Sequence, residues 1–126
     1  MELRFYRCEI CGQIVAVIKK TGAPLVCCGK PMQEIIPGTV EASLEKHIPL
    51  VSVEGNRVNV QVGSIPHPMT AEHWIEWVVL QTAAGNQRRQ LNPGDEPVVR
   101  FPIEEGDEVL AVYAYCNLHG LWKSGE

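Results

Sequence analysis

Between residues 50 and 115, apolar and polar positions alternate in short bursts that reset at glycine, proline, asparagine and aspartate. "LVSV" (50–53) and "VNVQV" (58–62) run with period two on either side of "EGNR" (54–57), the pattern of a hairpin with one buried face. "HWIEWVVLQT" (73–82), "PVVRFPI" (97–103) and "EVLAVYAY" (108–115) follow, divided by the turn formers of "AAGN", "NPGDE" and "EEGD". No stretch keeps a helical period for long, and there is no internal repeat or low-complexity segment. The pattern predicts an all-β chain, with an immunoglobulin-like antiparallel β-sandwich of about seven strands from residue 37 to residue 126.

The first 36 residues read differently. They hold one strand-like run, "QIVAVIKK" (13–20), between "CEIC" (8–11) and "LVCCGKPM" (25–32). A piece of fewer than about 40 residues buries too little apolar surface to hold itself together, so it borrows stability from a metal, a disulfide or a partner. "PGT" (37–39) is a linker signal. The expected division is a small metal-binding domain over 1–36, followed by the sandwich over 37–126.

Composition narrows the function classes. A chain of 126 residues, 45% of them hydrophobic, has enough apolar material for one modest core and a small appendage. Eleven basic against 15 acidic residues give a net charge of −4, which argues against a nucleic-acid or anionic-membrane surface. No apolar run approaches the roughly 20 residues of a membrane span, and the opening "MELRFYRCEICG" lacks the apolar stretch of a secretory signal. A soluble, cytoplasmic protein is expected, in which five cysteines serve as metal ligands in preference to disulfides.

Four of those cysteines form the first constellation: Cys8, Cys11, Cys27 and Cys28. A C-x2-C knuckle turns two thiolates toward one ion while backbone N–H groups point at the sulfurs, and a second pair completes a tetrahedron suited to zinc or iron. Here the second pair is adjacent, so the backbone has to splay the two sulfurs. A zinc staple without chemistry and a Cys27–Cys28 disulfide are the other readings of this spacing.

The second constellation is dispersed. His47, His67 and His73, with Cys116 and His119 in a C-x2-H pair, all fall at the ends of the expected strands, the pair closing the last of them. Loops of a sandwich gather at its two ends, so these side chains can meet at one of them. Imidazoles suit iron, copper or zinc, and one thiolate adds an electron-donating ligand. A blue-copper site is disfavoured because no methionine follows the pair; the last is Met69.

Taken together, the four-cysteine start with its "CC", then "EKHIPL", "GSIPHPM", "HWIEW", "NPGDEP" and "YCNLHGLWK", resemble the desulfoferrodoxins, the two-iron class of superoxide reductase, over nearly the whole chain. The resemblance implies two iron ions per chain. Cys8, Cys11, Cys27 and Cys28 match the ligands of a desulforedoxin-like or rubredoxin-like centre. His47, His67, His73 and His119 match four equatorial imidazoles of the catalytic iron, and Cys116 its axial thiolate. Glu45 and Lys46 match the acidic and basic residues of a mobile active-site loop, the lysine drawing in the anion and the glutamate capping the sixth position. The implied reaction is one-electron reduction of superoxide to hydrogen peroxide, in oxygen detoxification. A rubredoxin-like electron donor and a homodimer are implied as well. Proline on both sides of His67 departs from the pattern and stiffens that loop.

Two other functions are compatible with the residues alone. One is a rubredoxin-like electron carrier with a closed histidine site; the other is an interaction module in which a zinc staple supports a binding sandwich. Ligand types do not select the metal, because affinity follows softness and supply. Backbone N–H groups of "NLHG" are expected to hydrogen-bond the Cys116 sulfur and temper its donation.

Overall fold

The computed structural model describes residues 3–124, and the chain forms two compact units, one ending at Ile36 and the other beginning at Pro37. In the first, β1 (Arg4–Arg7) is the centre of a three-stranded antiparallel sheet, flanked by β2 (Ile14–Val17) and β5 (Gln33–Ile35). Between them, β3 (Val26–Cys27) and β4 (Lys30–Pro31) form a two-stranded hairpin that carries the second cysteine pair. The sequence pattern showed one strand in this unit. β1 and β5 escape it because "RFYR" sets its two buried residues side by side and "QEI" has one apolar residue, so neither shows an apolar run or an alternation.

The second unit opens with a single helical turn, α1 (Leu44–His47), and continues through β6 (Pro49–Glu54), β7 (Arg57–Val62), β8 (Ile75–Thr82), β9 (Asn86–Gln90), β10 (Val98–Pro102), β11 (Val109–Cys116) and β12 (Gly120–Lys123). These seven strands make two antiparallel sheets, ordered β10-β7-β6 and β12-β11-β8-β9. The hairpin expected at "EGNR" is present: Glu54 pairs with Arg57 across Gly55–Asn56, and Gly55 takes the positive φ of 57° that the turn needs. Val58, Val60 and Val62 of β7 meet Val78 and Leu80 of β8, Val112 and Ala114 of β11, and Phe101 of β10 in one apolar core. Cys116 belongs to that core.

Two strands of this unit lie outside the expected set. β9, "NQRRQ", is polar because it is an edge with little to bury. Its Gln87 Nε2 donates to Pro102 O at 2.6 Å and its Arg89 Nη1 to Arg100 O at 3.3 Å, so alternate side chains of one edge satisfy carbonyls of β10, the edge of the other sheet. β12 follows the C-x2-H pair, which therefore sits in the β11–β12 turn and does not close the last strand. Among the described residues no helix is long and apolar enough to cross a membrane.

Candidate metal centres

β1 delivers the chain into the first knuckle. Gly12 N–H donates to Cys8 O and Cys8 N–H to Gln13 O, both at 2.9 Å, while Cys11 N–H points at Cys8 Sγ at 3.5 Å. Cys11 Sγ lies 3.6 Å from Cys27 Sγ, and Cys27 Sγ lies 4.0 Å from Cys28 Sγ. A tetrahedron with metal–sulfur bonds of about 2.3 Å has edges of about 3.8 Å, so these separations fit one ion. Cys27 and Cys28 are free thiols at that distance, about twice the length of a disulfide bond. The splaying of the adjacent pair comes from a left-handed backbone at Cys28, φ 53°.

Protonation shows what the four sulfurs lack. The backbone N–H of Cys11 is the main cause that lowers Cys8 to about 6, whereas the neighbouring sulfurs, Cys11 first, push Cys27 up to about 12 and raise Cys28. The arrangement favours a thiolate at Cys8 and disfavours one at Cys27 and Cys28. A single iron or zinc ion removes the conflict.

The second group gathers at one end of the sandwich. His47 ends α1, His67 follows β7, His73 precedes β8, Cys116 ends β11 and His119 lies in the turn to β12. His47 Nδ1 donates to Ser43 O at 2.6 Å and His67 Nδ1 to Pro68 O at 2.7 Å. A carbonyl only accepts, so both protons sit on Nδ1 and both Nε2 atoms are bare lone pairs. Those two Nε2 atoms are 3.2 Å apart, in rings 2% exposed. Two acceptors at that distance cannot bond each other, and a cation shared by both would resolve the conflict. A proton is a poor candidate, because burial pulls His67 down to about 4. His73 Nε2 is also buried and without a partner. His119 presents its other nitrogen, Nδ1, 3.2 Å from His47 Nε2 and 3.9 Å from Cys116 Sγ.

The rings close a square. Neighbouring centroids are 4.6 Å apart for His47–His67 and His67–His73, 5.1 Å for His73–His119 and 5.0 Å for His119–His47, with interplanar angles of 77–86°. The His47–His73 diagonal is 6.4 Å. The donor atoms of His47, His67, His73 and Cys116 all lie within 4.8 Å of one another. Cys116 is 0% exposed and belongs to the core, and the backbone N–H groups of Leu118 and His119 act in favour of its thiolate. Burial is the larger influence and raises its thiol, so a bound cation is what would hold it as thiolate. Four imidazoles in a square and one buried sulfur are a donor set that would suit iron.

Desulfoferrodoxin sequences match both units: the family model for desulfoferrodoxin covers residues 39–125, and that for the desulfoferrodoxin N-terminal domain covers 1–35. The chain belongs to the desulfoferrodoxin family. It is 46% identical to a desulfoferrodoxin homolog of Archaeoglobus fulgidus over 98% of this chain and 97% of that one. A desulfoferrodoxin of Syntrophotalea carbinolica is 45% identical over 98% and 96%. The crystal structure of the superoxide reductase from Treponema pallidum superposes with a TM-score of 0.84 at 39% identity, covering 99% of this chain and all of that one.

In this desulfoferrodoxin the side chains of Glu45 and Lys46 are exposed, on the turn that ends in His47. The Lys46 charge is felt at His47 and His73, where it disfavours the protonated ring. The backbone of the turn is held: Glu45 O accepts Ile65 N–H at 3.0 Å and Ser64 Oγ–H at 3.2 Å. Three supporting residues went unnoticed in the sequence. Trp122 lies against His47 with centroids 4.9 Å apart and the rings tilted by 33°, and donates Nε1–H to His119 O at 3.0 Å. Gly63 lies under α1, and Asn117 bridges two loops. Trp122 and Asn117 stand inside "YCNLHGLW", so closeness to the C-x2-H pair was the available signal.

Proposed function

We propose that the chain is a superoxide reductase, converting superoxide, one electron and two protons into hydrogen peroxide. The observation that carries this reading is the square of four imidazoles gathered with the buried Cys116 sulfur, in which the bare Nε2 atoms of His47 and His67 stand 3.2 Å apart. His47, His67, His73, His119 and Cys116 would hold the catalytic iron, and Cys8, Cys11, Cys27 and Cys28 the second one. Iron held there would supply the electron. Lys46 draws the anion to the site, and Glu45, on the same turn, would cap it once the iron is ferric; water supplies protons. Residues 1–36 thus act as an iron-binding electron-transfer domain and 37–126 as the catalytic one. Cys11 and Cys28 are exposed, which suits exchange of electrons with a rubredoxin-like donor, and five free thiols suit a reducing cytoplasm. A homodimer is part of the same reading. The decisive experiment mixes prereduced, iron-loaded protein with superoxide: one peroxide per oxidised catalytic iron and no dioxygen supports the reading, whereas a carrier or a zinc-stapled module gives neither oxidation nor peroxide.

Two expected results follow from the division of labour. Cys11→Ser should empty or alter the four-thiolate centre, because a tetrahedral thiolate site tolerates ligand loss poorly. A prereduced sample should still reduce superoxide at the other centre; loss of that reaction in a folded variant would refute the separate roles.

Lys46→Ala should slow capture of superoxide by about tenfold. The protein carries a net charge of −4, so fast capture of an anion needs a local positive field, which raises association rates by about 10 to 10³ fold. Lys46→Arg should keep most of the rate. Added salt should slow the wild type more than Lys46→Ala, since exposed charges are screened beyond about 8 Å at physiological ionic strength. Pulse radiolysis at two ionic strengths measures both; an unchanged rate in Lys46→Ala would leave the iron charge as the sole attractor.

A further inference from the structure

His73 is held differently from the two buried imidazoles beside it. His47 and His67 each commit Nδ1–H to a backbone carbonyl, which fixes ring direction and tautomer together. Neither ring nitrogen of His73 has a hydrogen-bond partner among the described residues, and its Nε2 is buried. No hydrogen bond fixes the direction of this ring, which leaves its backbone and the neighbouring rings to do so.

One side chain grips that backbone from both sides. Asn117 accepts Trp74 N–H through Oδ1 at 2.9 Å and donates Nδ2–H to Glu72 O at 3.0 Å. These two atoms belong to the peptide bonds immediately before and after His73. The amide orientation is unambiguous, since the Trp74 nitrogen only donates and the Glu72 carbonyl only accepts. Asn117 N–H also donates to Trp74 O, at 3.2 Å. Opposite, Thr70 closes a turn on His73, the two exchanging backbone bonds at 2.9 and 3.2 Å. Asn117 itself follows Cys116 and precedes His119 by two positions, so the loop it anchors is the one that supplies the sulfur and another imidazole. An aspartate would lose the donor, and an aliphatic side chain both bonds.

We propose that Asn117 is the positioning residue for His73: its side-chain amide registers the His73 loop against the Cys116–His119 loop, taking the place of the carbonyl bond that orients His47 and His67. The proposal rests on the reading of these side chains as one metal site. Its consequence is that metal affinity at that site depends on a residue that touches neither metal nor substrate.

The test is a Co²⁺ titration of the metal-free, full-length protein. Hyperfine-shifted histidine ring resonances report the five-ligand site alone, and thiolate-to-cobalt absorption reports both sites. Asn117→Ala should lower affinity at the five-ligand site by about 10- to 100-fold, the usual cost of losing a group that orients a ligand. The four-cysteine site should fill as in the wild type, and the His73 ring resonances should move more than those of His47 and His67. In a His73→Ala background, Asn117→Ala should change affinity by less than about twofold, because the group through which it acts is gone. Should Asn117→Ala not fold, Asn117→Gln carries the measurement, its amide one methylene too far out and the same direction of change expected. Wild-type affinity in a folded variant, or an equal loss with and without His73, overturns the proposal. Absence of shifted histidine resonances in the wild type itself would instead overturn the five-ligand site, and the proposal with it.

Discussion

Gly63→Ala is expected to lower the melting temperature of the protein by about 10 °C or more and to displace the turn that carries Lys46 and His47. A Cβ at this position would stand 2.6 Å from Glu45 O, 2.9 Å from Ile48 O and 3.0 Å from the Lys46 carbonyl carbon. All three are backbone atoms, so no side chain can rotate out of the way. Overpacking costs about 1–3 kcal/mol, and contact with backbone belongs at the upper end. For a domain of this size each kcal/mol is worth about 4–8 °C. The displaced atoms include Glu45 O, which receives Ile65 N–H and Ser64 Oγ–H, so relief of the clash also loosens the anchor of α1. His47 is the last residue of α1, and a shift of about 1 Å in such a group can cost about 10²-fold in rate. Calorimetry and superoxide capture by the prereduced protein measure the two effects together. Gly22→Ala is the control, since its Cβ would meet nothing within 4 Å and its φ is not left-handed. A Gly63→Ala protein that melts with the wild type and captures superoxide at full rate would show that α1 can be moved at no cost.

How much of this was legible in the sequence depended on whether a residue declares its role by type or by surroundings. The core strands were readable because Val58, Val60 and Val62 alternate with Asn59 and Gln61, and the buried set is the valine set. The metal ligands were readable because cysteine and histidine are scarce and cluster at turns. β9 was not, because an edge strand of "NQRRQ" is specified by its pairing with β8 and by side-chain bonds to β10, and neither leaves an apolar period. β12 was hidden because its two buried residues, Leu121 and Trp122, are adjacent and show no period of two. Gly63 looked like one more turn glycine, although what it provides is room for carbonyls that arrive from residues 45 and 48. The ring order His47, His67, His73, His119 is a property of the two-sheet topology, and spacing along the chain does not encode it.

Cys116→Ser is expected to abolish the sulfur-to-iron charge-transfer band of the catalytic centre and to reduce its reaction with superoxide by more than about 100-fold, a larger loss than an outer-shell partner causes. Sulfur is the one soft, electron-donating ligand in the group, and a serine hydroxyl is hard and stays protonated. The Leu118 and His119 N–H groups that favour the thiolate would gain little from a neutral oxygen. Stability moves as well, because Cys116 is wholly buried in the apolar core and a poorly bonded hydroxyl there costs about 1–3 kcal/mol. That cost confuses ligand loss with misfolding, so Cys116→Ala is the necessary companion. Alanine brings no hydroxyl and leaves only a small cavity, yet it removes the ligand entirely. If the sulfur acts on iron, Ala should be the better folded of the two variants in the metal-free protein and no more active. If the sulfur merely fills the core, Ala should recover whatever activity Ser loses, in proportion to its recovered stability. Absorption of the oxidised protein, iron content and thermal melts of the two variants distinguish these outcomes, and a charge-transfer band that survives in Cys116→Ala would assign the band to the four-cysteine centre alone.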